Sequence, residues 1–285
     1  MRQDIYYQRG ASDPVLEESV VMDIVRAYVP SARVLRYVDE SGGEARTYAV
    51  DDNIILKVQR PQQLRMSTSL EKEAFFLKQL EQKTGVNVPR VFGHGRRGTV
   101  EYTCMTRIPG IPVKKADLSG SERNAVLFEL GKTLRIIHGI DQKPIWESGL
   151  FPCDDPPDLV DRLRLRANAA IQAKKDTVSR EKTDKAIQFV EKELAVIKNV
   201  DRFFALHTNP AMTHTFVDET TRRYSGLIDF GDAYVGHPIF DIRRWPVQDR
   251  KMLLEGYTAE APVSADFMVI YNTANTIDLM VEQLM

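Results

Sequence analysis

Cysteine is nearly absent from this chain: 285 residues hold only Cys104 and Cys153, far apart and at no metal-ligand spacing. That excludes a disulfide framework and suits a reducing compartment, with both thiols expected to fill space. Long apolar runs are missing too. None approaches the roughly 20 residues that span a bilayer, and Met1-Arg2-Gln3-Asp4 lacks the charged-then-apolar order of a signal peptide, so a cytoplasmic location is expected. Neither sign of charge is in excess. With 39 Lys and Arg against 40 Asp and Glu, the net charge of -1 offers no general attraction to nucleic acid or to an anionic membrane, and neither is expected as a partner. No internal repeat and no low-complexity segment is found. What remains is an ordinary globular composition, 43% hydrophobic and 28% charged, long enough for one large domain or for two lobes of one catalytic unit.

The apolar pattern changes along the chain. Residues 15–28 carry apolar side chains at helical spacing until Pro30 stops them. Residues 34–38, 45–50 and 54–58 then alternate as three short antiparallel strands, with Ser41-Gly42-Gly43-Glu44 and Asp51-Asp52-Asn53 as turns. A helix over 69–81 follows, with Leu70, Ala74, Leu77 and Leu80 on one stripe. Strands at 90–93 and 99–105 complete a five-stranded lobe with one crossing helix. Ile108-Pro109-Gly110-Ile111-Pro112 interrupts both periodicities and marks a linker. The expected division is thus an N-terminal lobe over 1–107 and a mainly helical lobe over 108–285. In the latter, helices are expected over 121–140 and, as one or two, over 159–200, then strand and loop over 203–232 and helix to the end. The alternating charges at 174–176 and 180–182 read as a solvated face or turn.

Two features point to chemistry. Lys57 lies in the third strand, behind a Gly-Gly turn, and Glu73 or Glu71 on the next helix could pair with it; two residues apart, they face about 200° away from one another. Alone, Lys57 could equally be an edge lysine in water. Gly226-Leu227-Ile228-Asp229-Phe230-Gly231 ends an apolar strand on an acid, where a carboxylate can reach Mg²⁺ bridging nucleotide phosphates. About twenty residues upstream lies a polar loop containing His207.

Together these segments resemble the aminoglycoside phosphotransferase and choline kinase-like family, which shares the protein-kinase fold. That family has a loop His-Gly-Asp, four residues, then Asn, followed by Ile-Asp-Phe/Trp and Gly-x-Pro-x-x-Asp. Here the loop reads His207-Thr208-Asn209-Pro210-Ala211-Met212-Thr213-His214, then Ile228-Asp229-Phe230, then Gly236-His237-Pro238-Ile239-Phe240-Asp241. Val88-Pro89-Arg90-Val91 and Leu130-Gly131-Lys132-Thr133-Leu134 are further landmarks, and the resemblance spans roughly residues 30–260. It implies an α+β, two-lobed kinase-like fold in which Lys57 and Glu73 grip the phosphates of ATP or GTP beside Gly42 and Gly43. It also implies that Met105, Thr106 and Ile108 line the adenine pocket through backbone groups, that Asp229 holds Mg²⁺ or Mn²⁺, and that His207 and Asp241 brace the loop. His138, at the end of an apolar helix, is assigned only a favourable place at the helix dipole.

The sequence departs from that family at two of the loop's most telling positions. Asn209 stands where the catalytic aspartate belongs, and an amide cannot take a hydroxyl proton. His214 stands at the metal-binding asparagine, although imidazole suits softer metals than Mg²⁺. The expected activity is phosphoryl transfer to a hydroxyl of a small molecule, impaired by Asn209; the alternative is a nucleotide-binding pseudokinase that transfers nothing. Glu255, Glu260, Asp266, Asp278 and Glu282, with no Lys or Arg after Lys251, fit a cationic acceptor or are simply an acidic tail.

Overall fold

A computed structural model describes residues 6–7, 15–39, 45–60, 63–64, 69–97, 100–153, 158–174 and 176–284. In chain order the elements are β1 (Tyr6–Tyr7), α1 (Glu18–Arg26), β2 (Leu35–Asp39), β3 (Ala45–Val50), β4 (Ile54–Gln59), β5 (Gln63–Leu64), α2 (Ser69–Leu80), β6 (Val91–Arg97), β7 (Val100–Thr106), β8 (Ile111–Pro112) and α3 (Gly120–His138). They continue with α4 (Lys143–Glu147), α5 (Asp158–Gln172), α6 (Arg180–Leu194), β9 (Phe204–Leu206), β10 (Thr215–Val217), β11 (Tyr224–Leu227), β12 (Tyr234–Gly236), α7 (Ile239–Ile242), α8 (Arg250–Tyr257) and α9 (Ala265–Gln283).

The five expected strands form one antiparallel sheet in the order β2-β3-β4-β7-β6, so the fold is the two-lobed, kinase-like α+β class. Strand β4 is central, with Lys57 opposite Thr47 of β3 and Thr103 of β7. Alternation along β4 turns Leu56 and Val58 to one face, where α1 covers them with Val21, Met22, Ile24 and Val25. Ile55 and Lys57 therefore share the other face, which looks toward the helical half. Ile55 packs there on the main core.

That main core crosses the expected boundary at 107. Phe76, Leu77 and Leu80 of α2 and Met105 of β7 join the apolar side chains of α3, α5, α6 and α9 in one cluster. Phe76 makes an edge-to-face contact with Phe230 at 5.4 Å between ring centroids, so α2 is tied to the segment carrying Asp229. The linker is shorter than expected, because Ile111–Pro112 pairs with Phe216 and Val217 of β10. Gly110 adopts φ +93 there, and a Cβ would sit 2.0 Å from the Val217 carbonyl oxygen.

Helix α3 starts at a capping box: the Glu122 amide donates to Ser119 Oγ, and the Ser119 amide donates to Glu122 Oε2. Its buried stripe crosses α8 at backbone contact. A Cβ on Gly131 would lie 2.1 Å from the Leu253 carbonyl oxygen, and one on Gly256 would lie 1.9 Å from that of Phe128. Lys174, expected in water, instead donates Nζ to the carbonyls of Val281 at 2.6 Å and Leu284 at 3.1 Å, closing the C-terminus of α9. The strand β12 interrupts what reads as helix after residue 232. It pairs with β9, which leads into the polar loop.

Candidate functional site

Between the sheet and the helical half, Lys57 Nζ donates to Glu73 Oε1 at 2.8 Å and Oε2 at 3.0 Å, and to Asp229 Oδ1 at 3.0 Å. Glu73 is the buried partner, while Glu71 is exposed, as their angular separation on α2 demands. The Phe230 amide also donates to Glu73 Oε1, at 3.2 Å. Burial pushes the Glu73 carboxyl up, against the pull of Lys57 and the Phe230 amide. Burial alone would lower the Lys57 ammonium, but Asp229 and Glu73 together outweigh it and raise it. The Lys57 ammonium holds the Asp229 carboxyl well below the usual carboxylate range. Asp229 keeps 42% of its side-chain surface open, so this ionised group can be reached from the cleft.

The polar loop between β9 and β10 is held by its backbone. Asp241, fully buried at the start of the helical end, accepts the His207 amide at Oδ2 (3.0 Å) and the Thr208 amide at Oδ1 (2.6 Å). The His207 ring then links two strands of chain: Nε2 donates to the Ile228 carbonyl at 2.9 Å and Nδ1 accepts the Asn209 amide at 3.1 Å. Burial pulls its pKa down to about 4, which keeps it neutral, and its two partners set the tautomer. Phe230 packs on the same ring at 4.5 Å between centroids. Thr208 has φ +75, a region disfavoured for a β-branched residue, at a position where the family pattern has glycine. Its hydroxyl donates to the Asp232 carbonyl and helps hold it there.

His138, in the last turn of α3 as expected, also belongs to this brace. It is 2% exposed, its Nε2 donates to Asp241 Oδ2 at 3.0 Å, and its Nδ1 lies 3.0 Å from the Tyr257 hydroxyl. Sequence reasoning missed the network, although His138 sits one residue after the buried Ile137 on the stripe of α3. It also missed Arg244. The Arg244 Nε donates to Asn209 Oδ1 at 3.1 Å and Nη2 makes a second, short bond to the same oxygen. Nothing in the order of residues signals this contact across 35 positions.

His214 donates Nδ1 to the Asn209 carbonyl at 2.8 Å, which aims Nε2 at Asp229 Oδ2, 3.4 Å away. Among the described residues no three His, Cys, Asp or Glu side chains form a metal-binding group, so a closed zinc-type site is not present there. The pair Asp229 and His214 instead fits a divalent ion that arrives with phosphate oxygens and waters of its own. At the hinge, Met105 is buried, and the Thr106 and Arg107 amides already donate to the Arg90 and Asn53 carbonyls at 2.8 Å. Ile108 packs where a Cβ on Gly226 would lie 2.8 Å from its Cγ2. Gly42 and Gly43 lie outside the described residues.

Residues 38–261 match the family model described as "Phosphotransferase enzyme family". No curated protein sequence matches the chain. Among solved structures it resembles the GDP complex of aminoglycoside 2'-phosphotransferase-IIIa, with TM-score 0.66 and 14% identity over 94% of this chain and 92% of that one. The streptomycin-ATP-APH(2")-IIa ternary complex gives TM-score 0.58 and 18% identity over 95% and 92%. The macrolide 2'-phosphotransferase MphH from Brachybacterium faecium gives 0.61 and 18% over 88% and 87%.

Proposed function

Since the chain belongs to the Phosphotransferase enzyme family, we propose that it binds ATP or GTP with a divalent ion and moves the γ-phosphoryl group to a small-molecule acceptor. The observation that carries this is Lys57 Nζ held between Glu73 and Asp229. A buried lysine fixed by a glutamate is a preformed point charge for phosphate oxygens, and Asp229 is an ionised oxygen ligand next to it. Nucleotide complexes among the similar structures, with GDP and with ATP, point the same way.

In this reading Lys57 turns from Asp229 to the α- and β-phosphates when nucleotide enters, Glu73 keeps its orientation, and Met105, Thr106 and Ile108 form the base pocket. Asp229 and His214 would hold Mg²⁺ or Mn²⁺, which when bound offsets phosphate charge and leaves the γ-phosphorus open to attack. The Asp241 brace positions the acceptor side of the loop, where residue 209 sits, without using residue 209's side chain. Residues 1–107 act as the nucleotide-side lobe and 108–285 carry the loop and acceptor side. No helix of the described residues is long and apolar enough to cross a membrane; a cytoplasmic location is part of the proposal.

A second reading, a nucleotide-binding module without transfer, draws on Asn209, which cannot serve as a base. A thermal-shift panel of nucleotides with Mg²⁺ and Mn²⁺, run with a turnover assay, separates the two. Ligand at 100-fold over Kd should add roughly 2.7 kcal/mol of stability, and Lys57→Ala or Asp229→Ala should remove most of that gain while the protein stays folded. No shift with any nucleotide and metal would sink both readings; binding without any turnover across acceptor classes would favour the second.

A further inference from the structure

We propose that the acceptor oxygen is already an oxyanion, a carboxylate or phosphate oxygen, received by Arg244 with Arg166 close by and positioned by the Asn209 amide. This deepens the phosphotransferase reading and rests on it.

The loop presents donors where a base is expected. Both bonds from Arg244 fall on Asn209 Oδ1, the one side-chain atom that could accept from an acceptor hydroxyl. Among the described residues Asn209 Nδ2 has no hydrogen-bond partner, so the group turned outward is an N–H. A surface made of an amide N–H and a guanidinium suits an oxygen with lone pairs, charge and no proton.

Arginines gather near the loop, and the ionised Asp229 lies beside its His214. Arg244 lies at the end of α7, beside Arg243, and α5 brings Arg162 and Arg166, one helical turn apart, against the same region: Arg166 lies over the Phe240 ring at 4.8 Å and Arg162 over the Tyr234 ring at 4.8 Å. Burial first, then Arg243, Arg244 and Arg162 as like charges, lower the Arg166 guanidinium. Arg243 has a counter-ion in Asp278, which it shares with Arg250, but its buried Nη1 has no partner. Neither Arg166 nor Arg244 pairs with a carboxylate among the described residues. Arg166 and Arg244 are exposed, so water screens their mutual repulsion, and a bound anion would relieve what remains.

Two of the five acids that fit a cationic acceptor are engaged elsewhere. Asp278 is taken by the two arginines, and Glu255 faces Lys251 along α8 at 4.0 Å. A polycation would meet guanidinium groups beside Asn209.

With an oxyanion the missing base has no task. The acceptor oxygen forms a bond to the γ-phosphorus, the bond from that phosphorus to the bridging oxygen breaks, and the nucleoside diphosphate leaves with the electron pair. No proton moves, and the product is an acyl phosphate or a phosphoanhydride.

The test presents small carboxylates and phosphate monoesters, each paired with its neutral alcohol counterpart, to the full chain with ATP and Mg²⁺ or Mn²⁺. Nucleoside diphosphate release should rise with the oxyanions and not with alcohols or amino-sugars. Hydroxylamine trapping identifies an acyl phosphate and phosphorus NMR a phosphoanhydride, which tells the two acceptor sources apart. Arg244→Gln should raise the acceptor KM about ten- to hundredfold, the worth of a hydrogen bond to a charged group, with nucleotide Kd unchanged. Arg166→Gln should raise it less, and Arg244→Lys should recover part of the loss. Faster transfer to neutral or cationic hydroxyls, or a parental acceptor KM in Arg244→Gln, would overturn the proposal. If no acceptor turns over, melting of the protein loaded with a non-hydrolysable ATP analogue decides. A rise with oxyanions that Arg244→Gln abolishes supports the proposal, and no rise beyond the neutral counterparts refutes it. Failure to bind any nucleotide sinks the phosphotransferase reading instead. The anion subsite is then judged alone by sulfate titration, retained if Arg244→Gln loses sulfate binding and rejected if binding is unchanged.

Discussion

Asn209→Asp would place a carboxylate within reach of two Arg244 donors, Nε at 3.1 Å and Nη2 closer still. The change is nearly isosteric, so packing is untouched. A general base contributes about 10² to 10⁴-fold, or roughly 3 to 5 kcal/mol, to transfer from a hydroxyl. A neighbouring guanidinium lowers a carboxylate pKa by about 1 to 3 units, each worth about 1.4 kcal/mol, and the partly open site puts this pair at the low end. Both bonds fall on Oδ1, so the second carboxylate oxygen, in the place of Nδ2, still faces the acceptor but with its basicity reduced. The single variant should therefore raise hydroxyl transfer by about 10 to 10³-fold, while Asn209→Asp with Arg244→Gln should approach about 10² to 10⁴-fold. Arg244→Gln alone should add nothing with hydroxyl acceptors. Toward oxyanions, Asn209→Asp should be slower than the parent, because like charges then face each other. The assay is coupled nucleotide turnover for the parent and three variants against polyols, amino-sugars and small oxyanions. A single variant as fast as the double variant, with Arg244 in place, would show that Arg244 does not hold position 209 in solution.

Acid should destabilise the fold through His237, whose pKa burial lowers to about 3. The unfolded chain protonates this ring near pH 6.5, so it binds more protons than the folded state between about pH 6.5 and 3, and stability falls with pH across that window, by about 2 kcal/mol at pH 5. Urea denaturation at pH 7.5 and 5 reads this; His237→Asn, which keeps an acceptor for the Ile239 amide, should lessen the fall, and an unchanged fall would acquit His237. Asp241→Ala leaves three buried donors without an acceptor and should cost roughly 3 to 5 kcal/mol, seen as a melting temperature lower by on the order of 10 °C; Asp241→Asn should cost less, and a parental melting temperature for Asp241→Ala would remove the brace. Gly256→Ala should lower stability by about 1 to 3 kcal/mol through the backbone clash with Phe128, although helix propensity alone favours alanine by about 1 kcal/mol. A higher melting temperature would mean that the α3–α8 contact is looser in solution.

Much of the architecture was legible because local signals agreed with tertiary ones. Alternation at 45–50 and 54–58 is satisfied by a sheet with one face under α1, and the stripe of α2 meets a core. The order Lys57, Glu73, His207, Asp229 could be read because each residue sits at a fixed offset from an element end. What could not be read depends on distance in space. Whether α2 belongs to the sheet or to the helical core is decided by Phe76 on Phe230, across 154 residues of sequence. The role of His138 follows from where Asp241 arrives, and the charge facing the loop comes from α5 and α7 together. Acids counted in the last 34 residues could not be told from an acidic tail by sequence, because the pairing of Asp278 with Arg243 and Arg250 depends on where α7 ends and α8 begins.

The loop's geometry is written in main-chain amides: His207, Thr208 and Asn209 are each fixed through their N–H, two by Asp241 and one by the His207 ring. The side chain at 209 therefore carries none of the scaffold. Such a position can change its chemistry under drift while the fold stays silent, so a lineage can exchange proton-taking for anion-holding here in a single codon step and keep every other part of the machinery for the new task.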